Sequence, residues 1–289
     1  MSILHVVILA IVQGLAELLP VSSSAHVVVT EKLLGLDPSS PAMTLLLVML
    51  HTGTMFAVIV YFWRQWRSTY FQSWGAFKRF ATLVLLATVL TGIIGEGIIE
   101  LIEKTAFRGM PHAEIEDLFS HLELVAPALA AAGVIILIAG LYERRHPIGS
   151  VPEGRDLDAT QAGLIGAVQG LCLPFRGFSR SGATISTGML AGVAKSRAEA
   201  FSFALAVVLT PPVVAREAVR LVRAEHERGT SGLAADVFPS LLGAVCAFLA
   251  GLLALKWLSQ WLERGRWYLF GIYSLFASAI VGYLHHLGY

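Results

Sequence analysis

Glu17 and His26 are ionisable side chains set in an otherwise apolar stretch, on either side of three consecutive serines. The segment reads VQGLAELLPVSSSAH from Val12 to His26. Gln13 and Glu17 are four residues apart and share a helix face. Pro20 then breaks that helix, and Ser22, Ser23 and Ser24 either cap the helix that follows or take part in chemistry. Ionisable groups at membrane depth point to function first. A second patch runs from Arg176 through Gly177, Phe178, Ser179, Arg180, Ser181, Gly182 and Ala183 to Thr184. It has the make-up of an anion nest: glycines admit close backbone approach, and hydroxyls gather with free N–H groups at a helix start. Arg180 adds a planar fork that suits phosphate oxygens. Its structural alternative is an ion pair with Glu17, which is compatible with phosphate binding. Arg176 is either a second phosphate ligand or a side chain that snorkels to the cytoplasmic face. His51 either lines the same site or makes an interhelical hydrogen bond.

Together these residues supply a carboxylate, an imidazole, hydroxyls and an anion clamp, a sufficient set for phosphoryl transfer on a lipid. Arg180 and the nest would stabilise charge on the phosphoryl group, and His26 or Ser23 would attack or activate water. Glu17 would hold a divalent cation or act as a base. Imidazole works near neutral pH, whereas a serine hydroxyl needs a separate activator, which favours His26 over Ser23.

The elements that must position these groups follow from hydropathy. The chain has 289 residues, 56% hydrophobic and 14% charged, where soluble domains carry about 25% charge; it is an integral membrane protein. A net charge of +1 gives no field for nucleic acid. Cys172 and Cys246 both lie in apolar stretches and read as packing residues. Residues Ile3–Val12 lack a preceding Lys or Arg and a following cleavage site, which argues against a signal peptide. Six stretches reach the roughly 20 residues a span needs: Ala42–Trp63, Phe80–Ile102, Leu122–Tyr142, Phe201–Val222, Val237–Leu258 and Trp267–His286. Pro211 and Pro212 predict a kink in the fourth. Tyr61, Trp63, Trp66, Tyr142, Trp267, Tyr268 and Tyr283 lie near span ends, where interfacial anchors belong.

Val-Gln-Gly-Leu occurs at Val12–Leu15 and again at Val168–Leu171, and each copy leads into a proline and a polar patch. Such a straight span would strand polar groups in lipid, so residues of about 1–33 and 160–192 are each expected to be a re-entrant helix–break–helix. Lys and Arg outnumber acids in 64–79, 193–199 and 259–266, and the linker 143–159 carries Arg144, Arg145 and Arg155, whereas 103–121 is acidic on balance. The positive-inside rule puts the first four in the cytoplasm and the last outside. Three spans then separate the repeats, so the first dips in from outside and the second from inside. The expectation is an all-α polytopic membrane protein in one domain, 1–289. It has inverted repeats of about 1–142 and 160–289, a cytoplasmic linker at 143–159, and polar tips that meet near the midplane. Such repeats also mark transporters, which makes a transporter or flippase of a phosphorylated prenyl lipid the alternative function. A pure transporter has use for Arg180 but little for Glu17 with His26.

Three motifs carry a resemblance to a known family: QGLAELLPVSSSAH at 13–26, HTGTMFAVIVYFWR at 51–64, and GFSRSGATIS at 177–186 followed by FSFALA at 201–206. In order and spacing the whole chain resembles the undecaprenyl-diphosphate phosphatases of the bacitracin-resistance family. The resemblance implies hydrolysis of undecaprenyl diphosphate to the monophosphate and phosphate, which recycles the carrier lipid for peptidoglycan. It also implies residence in the bacterial inner membrane, an active site open to the outer face, and stimulation by Mg²⁺ or Ca²⁺. It leaves homodimerisation open. By motif match it implies Glu17, Ser23 and His26 as catalytic residues, with Glu17 as the metal ligand, and Ser179, Arg180, Ser181 and Thr184 as phosphate-binding residues. Two departures stand out. Many members have Glu in place of Gln13, so a single carboxylate must serve here. Many read Trp-Pro-Gly before Ser-Arg-Ser, where this chain reads Pro-Phe-Arg-Gly.

Overall fold

The computed structural model describes residues 2–37, 40–106, 122–145, 157–228 and 233–287. Ten α-helices and no strands occur among them. In chain order they are α1 (Ile3–Leu18), α2 (Ser23–Leu33), α3 (Pro41–Thr69), α4 (Trp74–Ala106), α5 (Leu122–Arg145), α6 (Ala159–Leu171), α7 (Arg180–Leu190), α8 (Lys195–Arg228), α9 (Leu233–Glu263) and α10 (Trp267–His286). Six of them, α3, α4, α5, α8, α9 and α10, are long and apolar enough to cross a bilayer. The chain is a multi-pass membrane protein. The six expected spans are all present, with most ends extended into flanking polar residues; α3, for example, continues through Arg64 and Arg67 to Thr69. Helix α8 runs through Pro211 and Pro212 to Arg228. Most of the acidic stretch at 103–121 and of the linker at 143–159 lies outside the described residues.

Local sequence sets the helix starts. Ser40 accepts from Met43 N ahead of Pro41 at the first position of α3, and Asp158 and Gln161 form a reciprocal capping box on α6. Both repeat segments are helix–break–helix. The first break spans Leu19 to Ser22 and holds Pro20; the second spans Cys172 to Ser179 and holds Pro174. In each, the two short helices pack against each other, α1 on α2 and α6 on α7.

The helices approach closely where small residues meet, as is usual when lipid leaves packing to drive association. The repeated Val-Gln-Gly-Leu places a glycine at the same kind of contact in both halves. A Cβ on Gly14 would lie 2.7 Å from Ala247 O on α9, and one on Gly170 would lie 2.9 Å from Thr91 O on α4. The counterpart helices pack in counterpart ways: α1 on α9, α6 on α4, α3 on α8, and α5 on α10. Large apolar side chains left exposed on the spans, such as Leu85, Ile93, Leu249 and Phe276, suit a lipid-facing surface.

Two expected interfacial anchors are core residues instead. Trp66 and Trp267 are buried, because neighbouring helices offer their indole N–H groups partners. Trp66 donates to Ala200 O at 3.2 Å and Trp267 to Ser186 Oγ at 2.9 Å. Trp63, Tyr142 and Tyr283 are exposed.

Candidate active site

The two breaks meet. Ser181 donates to Leu19 O at 3.3 Å, and Gly177 N–H donates to Ser24 Oγ at 3.2 Å. Gly177 is required there twice over: its φ is +98°, and a Cβ would come 2.5 Å from Val125 O. The N-termini of α2 and α7 face one cavity of about 240 Å³, lined by Glu17, the serines 22 to 24, Ser179, Arg180 and Ser181 on the polar side, and by Leu173, Phe175 and Phe178 on the apolar side. Two helix N-termini at one cavity favour an anion.

Glu17, in the last turn of α1, is the hub. Its Oε2 accepts from Ser23 Oγ at 2.5 Å and from Gln13 Nε2 at 3.1 Å, and its Oε1 accepts from Arg180 Nη2 at 2.9 Å. Ser23 is the first residue of α2 and Arg180 the first of α7, so corresponding positions of the two repeats reach the two oxygens of one carboxylate. His51 Nε2 stands 3.9 Å from Oε2, while its Nδ1 donates to Leu47 O within α3. The Arg180–Glu17 pair is mostly enclosed, which strengthens it relative to a surface pair. Arg180 Nη1 is buried without a hydrogen-bond partner among the described residues.

The repeated glutamines have parted company. Gln169, the counterpart of Gln13, is fully buried and donates to Thr91 Oγ1 at 3.1 Å, holding α6 to α4. The serines differ too. Ser179 caps α7 by accepting from Gly182 N at 3.2 Å. Ser22 stands at the same position before α2 but makes no cap bond. Its φ is +67°, a conformation that non-glycine residues rarely adopt outside functional sites.

Two expected site residues face elsewhere. His26 Nδ1 lies 2.7 Å from Ser22 O, and a carbonyl only accepts, so Nδ1 carries the proton. Nε2, 2.7 Å from Tyr273 OH, then accepts from that hydroxyl; the two rings stack at 5.8 Å. His26 thus braces the unusual Ser22 backbone beside Ser23. Thr184 is fully buried, donates to Arg180 O at 2.7 Å, and lies 2.6 Å from Ser202 Oγ on α8; it anchors α7. Arg176 lines the cavity and interacts electrostatically with Glu31 of α2. Tyr273 and Glu31 were not singled out in the sequence, and Ser202 stood inside the FSFALA motif without a role of its own. The available signals were a tyrosine in mid-span, whose hydroxyl must find a partner, and an ionisable group within the first repeat segment.

No group of three or more potential ligands for a metal ion occurs among the described residues. Glu17 is the cavity's one carboxylate, and both its oxygens are engaged. Hard cations take six or more oxygens, and Mg²⁺ keeps several waters and is bound through one or two carboxylates plus substrate phosphates. A cation here would have Glu17 as its one carboxylate and draw its other oxygens from hydroxyls, substrate or water.

The profile of a family described as bacitracin resistance protein BacA matches residues 6–280. The chain belongs to that family. It is 58% identical over 284 residues, 97% of each chain, to undecaprenyl-diphosphatase 2 of Acinetobacter baylyi. It is 33% identical over 280 residues, again 97% of each, to undecaprenyl-diphosphatase of Rhodopirellula baltica. The protein named undecaprenyl-diphosphatase 2 in Burkholderia ambifaria is 32% identical over 289 residues, covering 96% of this chain and 95% of its own. The match spans both breaks, so the cavity is built wholly from sequence that belongs to the BacA family.

Proposed function

We propose that this protein is a membrane phosphatase that hydrolyses undecaprenyl diphosphate to undecaprenyl phosphate and inorganic phosphate. That activity recycles the carrier lipid for cell-wall synthesis and gives bacitracin resistance. Membership of the family and the names of its relatives support the reaction. The observation that carries it is one carboxylate, Glu17, bonded at once to a hydroxyl and to a guanidinium at the rim of a cavity with an apolar side.

The residues suggest this sequence of events. Arg180 Nη1, Ser181 and the start of α7 bind oxygens of the terminal phosphate, while Nη2 stays on Glu17. Ser23 Oγ attacks the terminal phosphorus as its proton passes to Glu17 Oε2. The bond from phosphorus to the bridging oxygen breaks, and prenyl monophosphate leaves with the proton returned by Glu17. Glu17 then takes a proton from water, which attacks the phosphoserine phosphorus; the bond from phosphorus to Ser23 Oγ breaks, Glu17 returns the proton to Oγ, and phosphate is released. Arg180 stabilises the charge on the transferring group throughout. His26 and Tyr273 hold the Ser22 backbone that aims Ser23.

We read the two helix–break–helix segments as re-entrant, and 1–142 and 160–289 as inverted repeats within a single membrane domain. The paired packing of α1 with α9 and of α6 with α4 supports this. The Lys and Arg distribution supports a cytoplasmic 143–159, and the family resemblance supports residence in the inner membrane with a cavity open to the outer face. The test is phosphate release from purified full-length protein given a prenyl diphosphate in detergent. Release that depends on Glu17 supports the reading; binding without release in an otherwise folded protein overturns it in favour of transport.

A further inference from the structure

Arg176, in the second break, and Arg180, the first residue of α7, both line the cavity. Arg180 is ion-paired to Glu17. Arg176 acts electrostatically on Glu31 of α2, which is 2% exposed and whose Oε1 has no hydrogen-bond partner among the described residues. Arg176 lines the cavity, and the buried carboxylate of Glu31, on which its charge acts, favours keeping the guanidinium there rather than at the cytoplasmic face.

The position of Arg176 says what it meets there. Arg180 stands beside Ser23 through Glu17, at the end where phosphorus is attacked. Arg176 lies four residues earlier, next to Phe175 and within three of Leu173, both about two-fifths exposed on the cavity's apolar side. A prenyl diphosphate laid along this cavity puts its terminal phosphate at Arg180 and its chain on the apolar side. The phosphate that carries the chain then falls between the two, at Arg176.

We propose that Arg176, held by Glu31, binds the chain-proximal phosphate and makes this cavity selective for a diphosphate over a single phosphate. Arg176 is a substrate-binding residue and Glu31 is its positioning residue. The proposal rests on the phosphatase reading for the identity of the substrate but not for the anion selectivity. A guanidinium bonded to phosphate has five donors in a fixed fork, so lysine is a poor replacement.

The experiment uses purified full-length protein, wild type and the variants R176Q, R176K and E31Q. It measures kcat and KM on a prenyl diphosphate, and the affinities of methylenediphosphonate and of inorganic phosphate by competition or thermal shift. For R176Q we expect KM and the methylenediphosphonate constant to rise about tenfold or more, the loss of one charge-assisted contact. The phosphate constant should change less than about threefold, and kcat should fall less than KM rises. R176K recovers little, and E31Q shifts the same two constants in the same direction by a smaller factor. Equal losses for both anions, or an unchanged KM in R176Q, overturn the proposal. R176Q alters an exposed side chain and decides the matter even if E31Q fails to fold. If wild-type protein releases no phosphate, the phosphatase reading falls, and the preference for methylenediphosphonate over phosphate still tests the role of Arg176.

Discussion

Arg180 Nη2 lies 2.9 Å from Glu17 Oε1, across 163 residues of sequence. The bond joins the first residue of α7 to the last turn of α1, and so it ties the two repeat segments at the cavity. It also leaves Nη1 uncommitted among the described residues, so one guanidinium can serve the carboxylate and a substrate oxygen at once.

Replacing Arg180 with lysine should therefore fail. A single ammonium cannot hold Glu17 and a phosphate oxygen in the same fixed geometry. Arg180→Lys should lower kcat by at least about 10²-fold, the scale of losing one preorganised donor to a developing oxyanion. Activity near that of the wild type in folded protein would reduce Arg180 to a general electrostatic role.

Ser23 donates to Glu17 at 2.5 Å, the arrangement expected of a nucleophile and its base. Ser23→Ala and Glu17→Gln should be about equally damaging, each at least about 10²-fold in kcat, and the double variant little worse than either, since they act as a unit. Rapid quenching with a labelled substrate should trap phosphate on Ser23 of the wild type. A label found on His26, after quenching in base, would exclude Ser23 as nucleophile.

The spans were legible because about 20 apolar residues in a row admit few other readings, and the breaks because Pro20 and Pro174 interrupt helices that a polar patch already made implausible. Glu17, Ser23 and Arg180 were legible as types, since a carboxylate, a hydroxyl next to a proline break and a lone arginine in apolar sequence each demand a partner. Which atoms meet was not. Tyr273 and Ser202 lie in spans whose apolar pattern hides them, and their partners His26 and Thr184 come from distant segments. Trp66 and Trp267 misled for the same reason: nearness to a span end suggests an interfacial ring, but Ala200 O and Ser186 Oγ on other helices decide their burial.

His26 separates a base from a brace. Its Nδ1–H holds Ser22 O while Nε2 accepts from Tyr273. His26→Ala should lower kcat by about 10²-fold, whereas His26→Asn, whose amide can still donate to Ser22 O, should recover most of it. Tyr273→Phe should cost less than about tenfold, the weight of one neutral hydrogen bond. An Asn variant as inactive as Ala would mean the imidazole itself moves a proton.

The two repeated glycines should respond alike to a methyl group. Gly14→Ala drives a Cβ into Ala247 O, and Gly170→Ala into Thr91 O; backbone cannot yield as a side-chain tip can. Each should destabilise the protein by about 1–3 kcal/mol, read as a fall in Tm in detergent. Gly92 on α4 meets nothing within 4 Å, so Gly92→Ala should leave Tm unchanged or raise it through helix propensity. A tolerant Gly14 beside a sensitive Gly170 would break the equivalence of the two halves.

Orientation can be tested from the described ends of the spans. Gln72, between α3 and α4, and Arg264, between α9 and α10, lie in stretches rich in Lys and Arg; Lys104, near the end of α4, lies at the start of the acidic 103–121. Loop basicity near span ends fixes which side stays in the cytoplasm. With Cys172 and Cys246 replaced by alanine as background, single cysteines from Gln72→Cys and Arg264→Cys should react with a thiol reagent only after the membrane is permeabilised. Lys104→Cys should react in intact cells. That outcome leaves three spans, α3, α4 and α5, between the two breaks, so the breaks enter from opposite faces and meet at the cavity. Labelling of Lys104→Cys only after permeabilisation would put both ends of α4 on one side, and the inverted-repeat reading would fall with it.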